Sequence, residues 1–392
     1  MRILGLNERE LREREGFYTF SEMVNQPCLW QRGVENIRDN MQKIRLFLDE
    51  IKGISGLKIY LVGAGSSAKA AAIVENYIRR LTAFEVYAIP STNLITQPDS
   101  YIQKDSPALL VSFGSSGNTV EGLEVVELFK ERCKVLYQIL IICSDKGEIV
   151  RKYSTGEKVL YIPIPEGTKG KSMAATGEFT LLIQYALMIF DIERINYYTK
   201  LFESSGEEGE HFFTKDIYKV HSIANKKYDI IAALGSNALT PLASEMCLKI
   251  SELSSGFQST QFHPVLEFRH GPKLIMNSDS LIVIFFSNDA HTRKYEIDLL
   301  RECSKDRRKS TLVAVSMDYI GEIDENCDYY FYFNRSGFEY LDDSHIVFSY
   351  ALFLQSFAAL KSIELGISPD KLGMDVEGFV NKVAKGVVIY KK

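Results

Sequence analysis

A short apolar run that leads through a glycine- and serine-rich turn into a helical segment is the feature that most restricts how this chain can fold. Residues 58–62 (KIYLV) form such a run, and they lead through the turn at 63–68 (GAGSSA) into a helix predicted over 69–81. The first N–H groups of a helix are free of backbone partners, and the helix dipole places partial positive charge beside them. A strand, a turn and a helix in this order therefore build a pocket for an anion.

The same plan recurs through the first half of the chain and begins again in the second half. Apolar strands are predicted in the first half at residues 58–62, 84–89, 108–113, 136–143 and 159–164. In the second half they are predicted at residues 228–234, 281–286, 312–316 and 329–333. Helical segments separate the strands, which predicts mostly parallel sheets with helices on both faces. Because the second series starts about 170 residues after the first, we predict two tandem copies of one three-layer α/β/α unit.

A second hydroxyl-rich turn, residues 114–119 (GSSGNT), follows the strand predicted at 108–113. The carboxyl ends of parallel strands meet at one edge of a sheet, so both turns are expected at the edge where open α/β sheets bind ligands. Serine and threonine hydroxyls, together with backbone N–H groups, suit the three oxygens of a terminal monophosphate. The sequence therefore predicts a phosphate site, and the remaining alternative is that these are plain turn residues.

Nucleotide sites fit these turns less well. The first turn matches a dinucleotide fingerprint with alanine in its third place, but that site needs an acidic residue at the end of the second strand. Glu85 stands at the start of that strand instead, and Pro90 stands at its end. Residues 167–172 (GTKGKS) approach a P-loop, but Pro165 takes the place of the required first glycine.

Acid and base side chains are concentrated between residues 248 and 272. Lys249 and Glu252 are three residues apart on a predicted helix, so they share one face and the ammonium helps to keep the carboxylate ionised. Arg269 and His270 precede a Gly-Pro turn. Each group also has a purely structural explanation. Lys249 and Glu252 would be a solvated surface pair, His270 would be a structural residue beside its turn, and Arg269 would pair with Glu267. Beside a phosphate site, however, this group suits proton transfer next to a carbonyl or imine, as in an aldose–ketose interconversion. Such a reaction also needs a group that opens the sugar ring, and histidine suits that step near neutral pH.

Composition excludes other classes of function. The chain has 392 residues, which favours two domains, and a net charge of -5 without a concentrated basic face, so neither a nucleic-acid nor a membrane partner is expected. No apolar run reaches about 18 residues, so no membrane span is expected. The six cysteines form no CxxC pair, which favours a reduced, cytoplasmic protein. The six histidines lack metal-ligand spacing, so neither a metal nor a cofactor is expected.

Several motifs together resemble the double sugar isomerase (SIS) fold found in the isomerase half of glucosamine-6-phosphate synthase. They are the two turns, the duplication, residues 248–252 (LKISE) and residues 269–272 (RHGP). The chain is similar above all to the tagatose-6-phosphate ketose/aldose isomerase family, also described as galactosamine-6-phosphate deaminase/isomerase. That likeness runs from residues 26–30 (QPCLW) to residues 386–390 (GVVIY). It implies a helical segment at 1–43, SIS domains at 44–202 and 215–365, and a tail at 366–392 that closes the active site.

The resemblance also implies roles for particular residues. Glu252 corresponds to the base that moves a proton between C1 and C2, and Lys249 assists it. His270 corresponds to the ring-opening histidine, which the neighbouring subunit lends, and Lys385 corresponds to a tail lysine that closes over the substrate. The implied assembly is a homodimer with shared active sites, or a higher homo-oligomer.

Substrate binding is implied at two further sets of positions. Those that correspond to phosphate-binding residues are Ser67, Ser115, Ser116 and Thr119. Additional candidate contacts are Gly65, Ser66, Thr176 and Arg269. The chain departs from the synthase at two of these positions: Gly114 replaces a residue with a hydroxyl, and Ala175 replaces a serine near the sugar. Thr176 is a candidate to make part of the sugar contact of that serine.

The expected activity is conversion of an amino-sugar 6-phosphate of the galactosamine type to tagatose 6-phosphate, with ring opening, C1/C2 proton transfer and release of ammonia. Three alternatives remain open: a plain aldose/ketose 6-phosphate isomerase, a sugar-amine 6-phosphate deglycase, and a sugar-phosphate sensor that is not an enzyme. A sensor needs no base, so Glu252, His270 and Lys385 together favour the enzyme.

Overall fold

The computed structural model describes residues 2–305, 309–372, 374 and 387–390. The chain divides into two compact units. The first-sheet unit comprises Cys28–Lys169, Gly177–Thr199 and the described part of Val383–Lys392. The second-sheet unit comprises the described parts of Met1–Pro27, Gly170–Thr176 and Lys200–Lys382.

Short elements open the chain before the first sheet begins. They are β1 (Arg2–Ile3), β2 (Leu6–Asn7), α1 (Glu8–Glu13), α2 (Phe17–Val24), α3 (Gln26–Asp39) and α4 (Met41–Lys52). The apolar spacing of residues 36–52 predicts a single amphipathic helix, and this prediction is wrong, because α3 and α4 are separate. Asn40 lies between them, and its Nδ2 donates to the carbonyl oxygen of Asn36 at 2.8 Å. An asparagine side chain that takes a backbone acceptor in this way competes with the helical hydrogen bonds.

The first sheet has five parallel strands that alternate with helices, as the sequence predicted. In chain order the elements are β3 (Lys58–Gly63), α5 (Ser66–Leu81), β4 (Glu85–Pro90), α6 (Ser91–Thr96), β5 (Pro107–Gly114), α7 (Val120–Arg132), β6 (Val135–Ile142), α8 (Glu148–Tyr153), β7 (Val159–Tyr161) and α9 (Thr176–Phe190). Their order across the sheet is β4-β3-β5-β6-β7. Because β4 lies on one side of β3 and β5 on the other, the topological switch point lies between β3 and β5.

The second sheet repeats this arrangement. Its elements are α10 (Ile195–His211), α11 (Ile217–Ala224), β8 (Ile230–Gly235), α12 (Leu239–Leu253), β9 (Ser259–His263), β10 (Ser280–Phe285), α13 (Ala290–Lys305), β11 (Thr311–Ser316), α14 (Gly321–Asp324), β12 (Tyr329–Tyr332) and α15 (Asp343–Glu364). The strand order is β12-β11-β10-β8-β9, again all parallel. The first strand of each unit is thus flanked by the second and the third, which confirms the predicted duplication.

Both units use a glycine to bring the first strand close to the helix that follows it. A Cβ on Gly63 would lie 2.7 Å from the carbonyl carbon of Ser67. A Cβ on Gly235 would lie 2.4 Å from the carbonyl oxygen of Leu239. Any larger residue would push the helix N-terminus away from the strand end, so both turns depend on these two glycines.

Two further segments carry predictions from their sequence pattern. The Ser/Gly/Glu composition of residues 203–210 predicts the seam between the halves; the stretch lies inside α10, and the boundary between the two units falls just before it, between Thr199 and Lys200. Its glycines allow close packing, since a Cβ on Gly209 would lie 2.9 Å from the Leu352 side chain. The apolar pattern of residues 172–190 predicts one helix, but the helix begins only at Thr176, because Ala175 adopts a left-handed conformation with φ of +52° that a helix does not accept.

Helix α15 forms the centre of the second-sheet unit. It is the one helix among the described residues that is long and apolar enough to cross a membrane by length and composition, and its 18-residue apolar window is 100% buried inside the fold. A buried core helix passes the same test. The buried aromatic rings of Phe353 and Tyr350 pack against Phe285 of β10, which joins the helix to the sheet.

Candidate functional site

The first sheet carries a narrow crevice at its switch point. The carboxyl ends of β3 and β5 line it through Gly63, Ala64, Ser112 and Gly114, and the turn that follows β5 adds Gly117 and Thr119. Strands β3 and β5 pair in parallel up to Val62 and Ser112, so both turns leave the sheet at the same edge. Open α/β sheets bind their ligands in this kind of crevice.

The turn after β5 is held in one shape by its own backbone. Gly117 has a φ of +66°, which a residue without Cβ adopts readily. The N–H of Ile149 donates to the Gly117 carbonyl at 3.0 Å, and the N–H of Glu148 donates to Asn118 Oδ1 at 2.8 Å. The Ser116 hydroxyl accepts from the N–H of Asn118 at 3.2 Å. These hydrogen bonds fix the shape of the turn, which lowers the entropy that binding would cost.

The predicted phosphate residues occupy these two turns. Ser67 lies buried in the first turn of α5, and Ser66 is the first residue of that helix. Ser115 and Ser116 lie half-buried between the end of β5 and Thr119, the residue that precedes α7. Of the predicted phosphate residues, Thr119 lines the crevice itself. Gly65 precedes α5 with a φ of +55°, so this position has a backbone requirement that is independent of any ligand.

Ser91 is a crevice residue that sequence reasoning did not select. It is the first residue of α6, it lines the crevice, and it is only 2% exposed. Its hydroxyl has no hydrogen-bond partner among the residues that the structure describes. A buried hydroxyl without a partner is costly, and each such group in a native protein calls for an explanation.

Lys249 and Glu252 form the predicted pair on α12. The Nζ of Lys249 donates to Glu252 Oε2 at 2.9 Å, which confirms that the two side chains share one helical face. The pair is not a solvated surface pair, because the Lys249 side chain is 1% exposed and the Glu252 side chain is 13% exposed. A buried ammonium beside a carboxylate that still reaches solvent keeps that carboxylate ionised and available as a base.

Glu245 adds a third ionisable side chain to this face of α12. It lies four residues before Lys249 on the same helix, and its Oε1 is 3.6 Å from Lys249 Nζ. Its side chain is completely buried. Sequence reasoning missed it, although the spacing of residues 245, 249 and 252 places all three on one face of a helix. A buried lysine between two carboxylates remains charged more readily than a buried lysine with one.

His270 lies on an exposed loop between two short 3-10 helices, Glu267–Arg269 and Pro272–Ile275. Gly271 beside it has a φ of +121°, so the Gly-Pro turn requires glycine. Arg269 does not pair with Glu267, the alternative raised from the sequence. Its Nε lies 2.8 Å from Glu302 Oε2 on α13, and Lys273 and Arg269 together lower the pKa of Glu302.

Two further residues were predicted from the sequence, Thr176 and Lys385. Thr176 is 1% exposed, and its carbonyl oxygen accepts from Gln355 Nε2 at 3.1 Å. Its hydroxyl has no partner within the described part of the chain. Lys385, the predicted tail lysine, lies outside the described residues. In the same described part, no group of three or more histidine, cysteine, aspartate or glutamate side chains could hold a metal ion.

Comparisons with known proteins agree with these features. The sequence profile of the SIS domain matches residues 55–189. The chain is 28% identical to D-galactosamine-6-phosphate deaminase AgaS from Escherichia coli O157:H7 over 376 residues, which is 96% of each protein.

Solved structures extend the likeness over the whole chain. A crystal structure of a proposed tagatose-6-phosphate ketose/aldose isomerase from Clostridium novyi NT is 34% identical, with a TM-score of 0.96 over 100% of both chains. A second structure, tagatose-6-phosphate ketose/aldose isomerase from Escherichia coli, is 26% identical, with a TM-score of 0.86 over 96% of this chain and 97% of that one.

Proposed function

Because this chain belongs to the double SIS-domain family of tagatose-6-phosphate ketose/aldose isomerases and galactosamine-6-phosphate deaminases, we propose that it converts galactosamine 6-phosphate to tagatose 6-phosphate and ammonia. The observation that carries this proposal is the buried Lys249–Glu252 pair, in which the Lys249 ammonium donates at 2.9 Å to a carboxylate that still reaches solvent. A protein that only binds sugar phosphates has no need of such a base.

Each step of the proposed reaction is assigned to particular residues of the chain. The turns after β3 and β5, with Ser67, Ser115, Ser116 and Thr119, bind the phosphate through hydroxyl and N–H donors. His270 moves a proton between the ring oxygen and the anomeric hydroxyl, which opens the sugar.

Glu252 then removes the proton from C2 of the open-chain aldehyde, which leaves the enolate of an enolamine across C1 and C2. Return of that proton to C1 and transfer of one proton from nitrogen to O1 give a neutral imine at C2. Addition of one water molecule to the imine carbon and loss of ammonia complete the ketose, so atoms and charge balance. Lys249 keeps Glu252 ionised before each turnover, and Glu245 keeps Lys249 charged.

The decisive experiment is a coupled assay that measures ammonia and ketose together over a panel of phosphorylated aldoses and amino sugars. We expect equimolar ammonia and tagatose 6-phosphate from galactosamine 6-phosphate. We expect Glu252→Gln to lower kcat at least 100-fold while it leaves substrate affinity within a factor of about three, because the amide keeps the shape of the side chain but is not a base. Full turnover by the Glu252→Gln variant would exclude Glu252 as the catalytic base.

A second activity, isomerisation without loss of nitrogen, is favoured by the names of the two solved relatives, which are ketose/aldose isomerases. It needs the same base and the same phosphate site, and it differs only in a hydroxyl at C2 in place of the amine. Ketose formation from a phosphorylated aldose, with no ammonia in the same assay, would establish it. A deglycase would instead release an amine from a sugar-phosphate adduct.

We assign the active form to a homodimer in which His270 serves the site of the neighbouring subunit. Support comes from four exposed apolar side chains in the chain segment around His270: Phe257, Phe262, Leu266 and Leu274. Phe262 lies on β9, the edge strand of its sheet. Monomeric proteins rarely leave a group of large apolar side chains beside an unpaired strand edge exposed to water.

The proposed location is the cytoplasm. All six cysteines are free thiols, and Cys143, Cys247 and Cys303 are buried. Burial raises the pKa of the Cys247 thiol to about 12, so this side chain is an apolar core residue and not a reactive group. Fractionation of the source cells with an antibody against the chain would test this location directly.

A further inference from the structure

The two sheets place equivalent residues at their switch points. In the first sheet Val62, which precedes Gly63, pairs with Ser112. In the second sheet Leu234, which precedes Gly235, pairs with Ile284. Three residues beyond each partner stand Ser115 and Ser287. Ser287 is therefore the structural counterpart of a residue in the proposed phosphate site.

Carboxylates of the chain itself occupy the hydrogen-bond donors of this second turn. The Ser287 hydroxyl donates to Asp343 Oδ2 at 2.6 Å, and the N–H of Asn288 donates to Asp343 Oδ1 at 2.7 Å. The N–H of Ser287 donates to Glu296 Oε2 at 2.7 Å. Asp343 is the first residue of α15, and Glu296 lies within α13. Two oxygens of one carboxylate thus accept from two successive residues of the turn, as two oxygens of a phosphate would.

The charges around this turn show that an anion is held there at some cost. Glu296 is fully buried and Asp343 is 9% exposed. Burial raises the pKa of both carboxyl groups, and Asp342 and Asp289 add to the rise at Asp343. Arg293 opposes the rise at Glu296, and its guanidinium donates to the carbonyl oxygen of Ser287 at 3.1 Å. Charge-assisted hydrogen bonds from the turn offset the burial of these acids.

We propose that the turn after β10 is an anion site permanently occupied by the carboxylate of Asp343, which fixes the start of α15 to the sheet and limits each chain to one phosphosugar. The comparison with phosphate rests on the proposed function of the first turn, whereas the three hydrogen bonds to Asp343 and Glu296 do not. The chemical class that this site accepts is a small oxyanion with two acceptor oxygens, such as a carboxylate.

Removal of the Asp343 side chain tests the proposal by anion rescue. Asp343→Ala leaves the Ser287 hydroxyl and the Asn288 N–H without their acceptor, so we expect a lower thermal midpoint than in the wild type. Sodium formate should raise the midpoint of Asp343→Ala by about 3 °C or more over sodium chloride of equal ionic strength, because a bound anion stabilises the folded state. The wild type, whose site is filled, should show no such difference.

Two controls make the rescue specific. Val347→Ala on the same helix creates a cavity at a fully buried position and frees no donor, so its midpoint should fall without recovery in formate. Asp343→Ala combined with Ser287→Ala removes one donor, so it should lose most of the recovery. Equal responses of Asp343→Ala and Val347→Ala to formate would overturn the proposal, as would an Asp343→Ala variant as stable as the wild type.

A titration of the wild-type chain with inorganic phosphate does not depend on how the variants fold. We expect one phosphate per chain, and we expect the Ser116→Ala/Thr119→Ala double variant to lose it. A second phosphate on the wild type, or binding that survives in the double variant, contradicts the occupied site. If the wild type binds no phosphate at all, the proposed function of the first turn fails, and the formate experiment still decides the second.

Discussion

Lys249 is an ammonium group with almost no access to water, placed between the carboxylates of Glu245 and Glu252 on one helical face. Its charge costs free energy to bury, and that cost is tolerable only because both carboxylates are near. Replacement of either carboxylate therefore affects more than one group, since it also makes the charged form of Lys249 less stable. Substitutions at Glu245 and Glu252 are expected to be non-additive for this reason.

Ser91 offers a sharper test at the scale of one residue. Its buried hydroxyl lines the crevice and has no partner in the described chain, so we expect it to donate to the bound phosphate. Ser91→Ala should then weaken binding of inorganic phosphate by about fivefold, which corresponds to one hydrogen bond of about 1 kcal/mol, and should leave thermal stability unchanged or slightly higher. Isothermal titration and a thermal melt measure the two effects.

Ser349→Ala is the matched control for Ser91→Ala. Ser349 is also fully buried with no partner found for its hydroxyl in the described residues, but it lies on α15 and not at the crevice. It should leave phosphate affinity as it is. An unchanged affinity in Ser91→Ala as well would exclude Ser91 from the binding site.

The spacing of Lys249 and Glu252 was enough to predict their contact, because helical geometry is local. Their burial was not predictable in the same way, since it depends on α15, which lies about 100 residues further along the chain and packs against α12. Ser91 gave no signal at all in the sequence. An unsatisfied hydroxyl is a property of its surroundings, and only the folded sheet edge reveals it.

At the scale of elements, the attachment of α13 and α15 to the second sheet should respond to pH. Burial and, to a lesser extent, the neighbouring Asp343 raise the pKa of Glu296 from its ordinary 4.5 to about 7, against the opposing effects of Ser236, Ser287 and Arg293. The folded chain therefore binds a proton at Glu296 that the unfolded chain has released between these two values. The free energy of unfolding should fall as pH rises from about 4.5 to about 7, by up to about 3 kcal/mol from this group.

Glu296→Gln should remove that contribution, because the amide does not titrate. Chemical denaturation at several pH values, with the variant compared to the wild type at each one, isolates the effect from all other carboxyl groups. The variant should gain stability relative to the wild type as pH rises from about 4.5 to about 7, and the difference should level off above that. A difference that stays constant between pH 5 and pH 8 would show that Glu296 is ionised throughout.

Elements with continuous apolar runs were predictable, whereas β9 was not. Its sequence, STQFH, is polar and sits at the edge of the sheet, so it has neither an apolar run nor clear alternation. Only the duplication required a strand there, because the first sheet has β4 in the matching place. The small residues at 203–210 indicated a seam near the true boundary between the units, but not that the stretch is helical. Serine and glycine are common in loops, whereas in α10 the glycines face Pro27 and Leu352, where small size allows close packing.

At the scale of the whole molecule, the proposed dimer predicts that two inactive variants can restore each other. Glu252→Gln and His270→Ala, each inactive alone, should regain about a quarter of wild-type activity when co-expressed in equal amounts, since half of the dimers are mixed and each mixed dimer holds one intact site. The coupled assay for ammonia and ketose measures the activity of the co-expressed variants. Activity no greater than the sum of the separate variants would place His270 in the site of its own chain.

The two units also differ in how far apart in the chain their parts lie. The first-sheet unit uses residues that follow one another from Cys28 to Thr199 with one short gap, apart from the described part of Val383–Lys392. The second-sheet unit joins both ends of the chain: Gln26 Nε2 donates to Gln355 Oε1 at 2.7 Å, and the N–H of Thr19 donates to Asp370 Oδ1 at 2.7 Å. On the ribosome, the first-sheet unit can thus assemble while synthesis continues. Helices α1 and α2 belong to the second-sheet unit, so they must wait for their partners until α15 has left the exit tunnel.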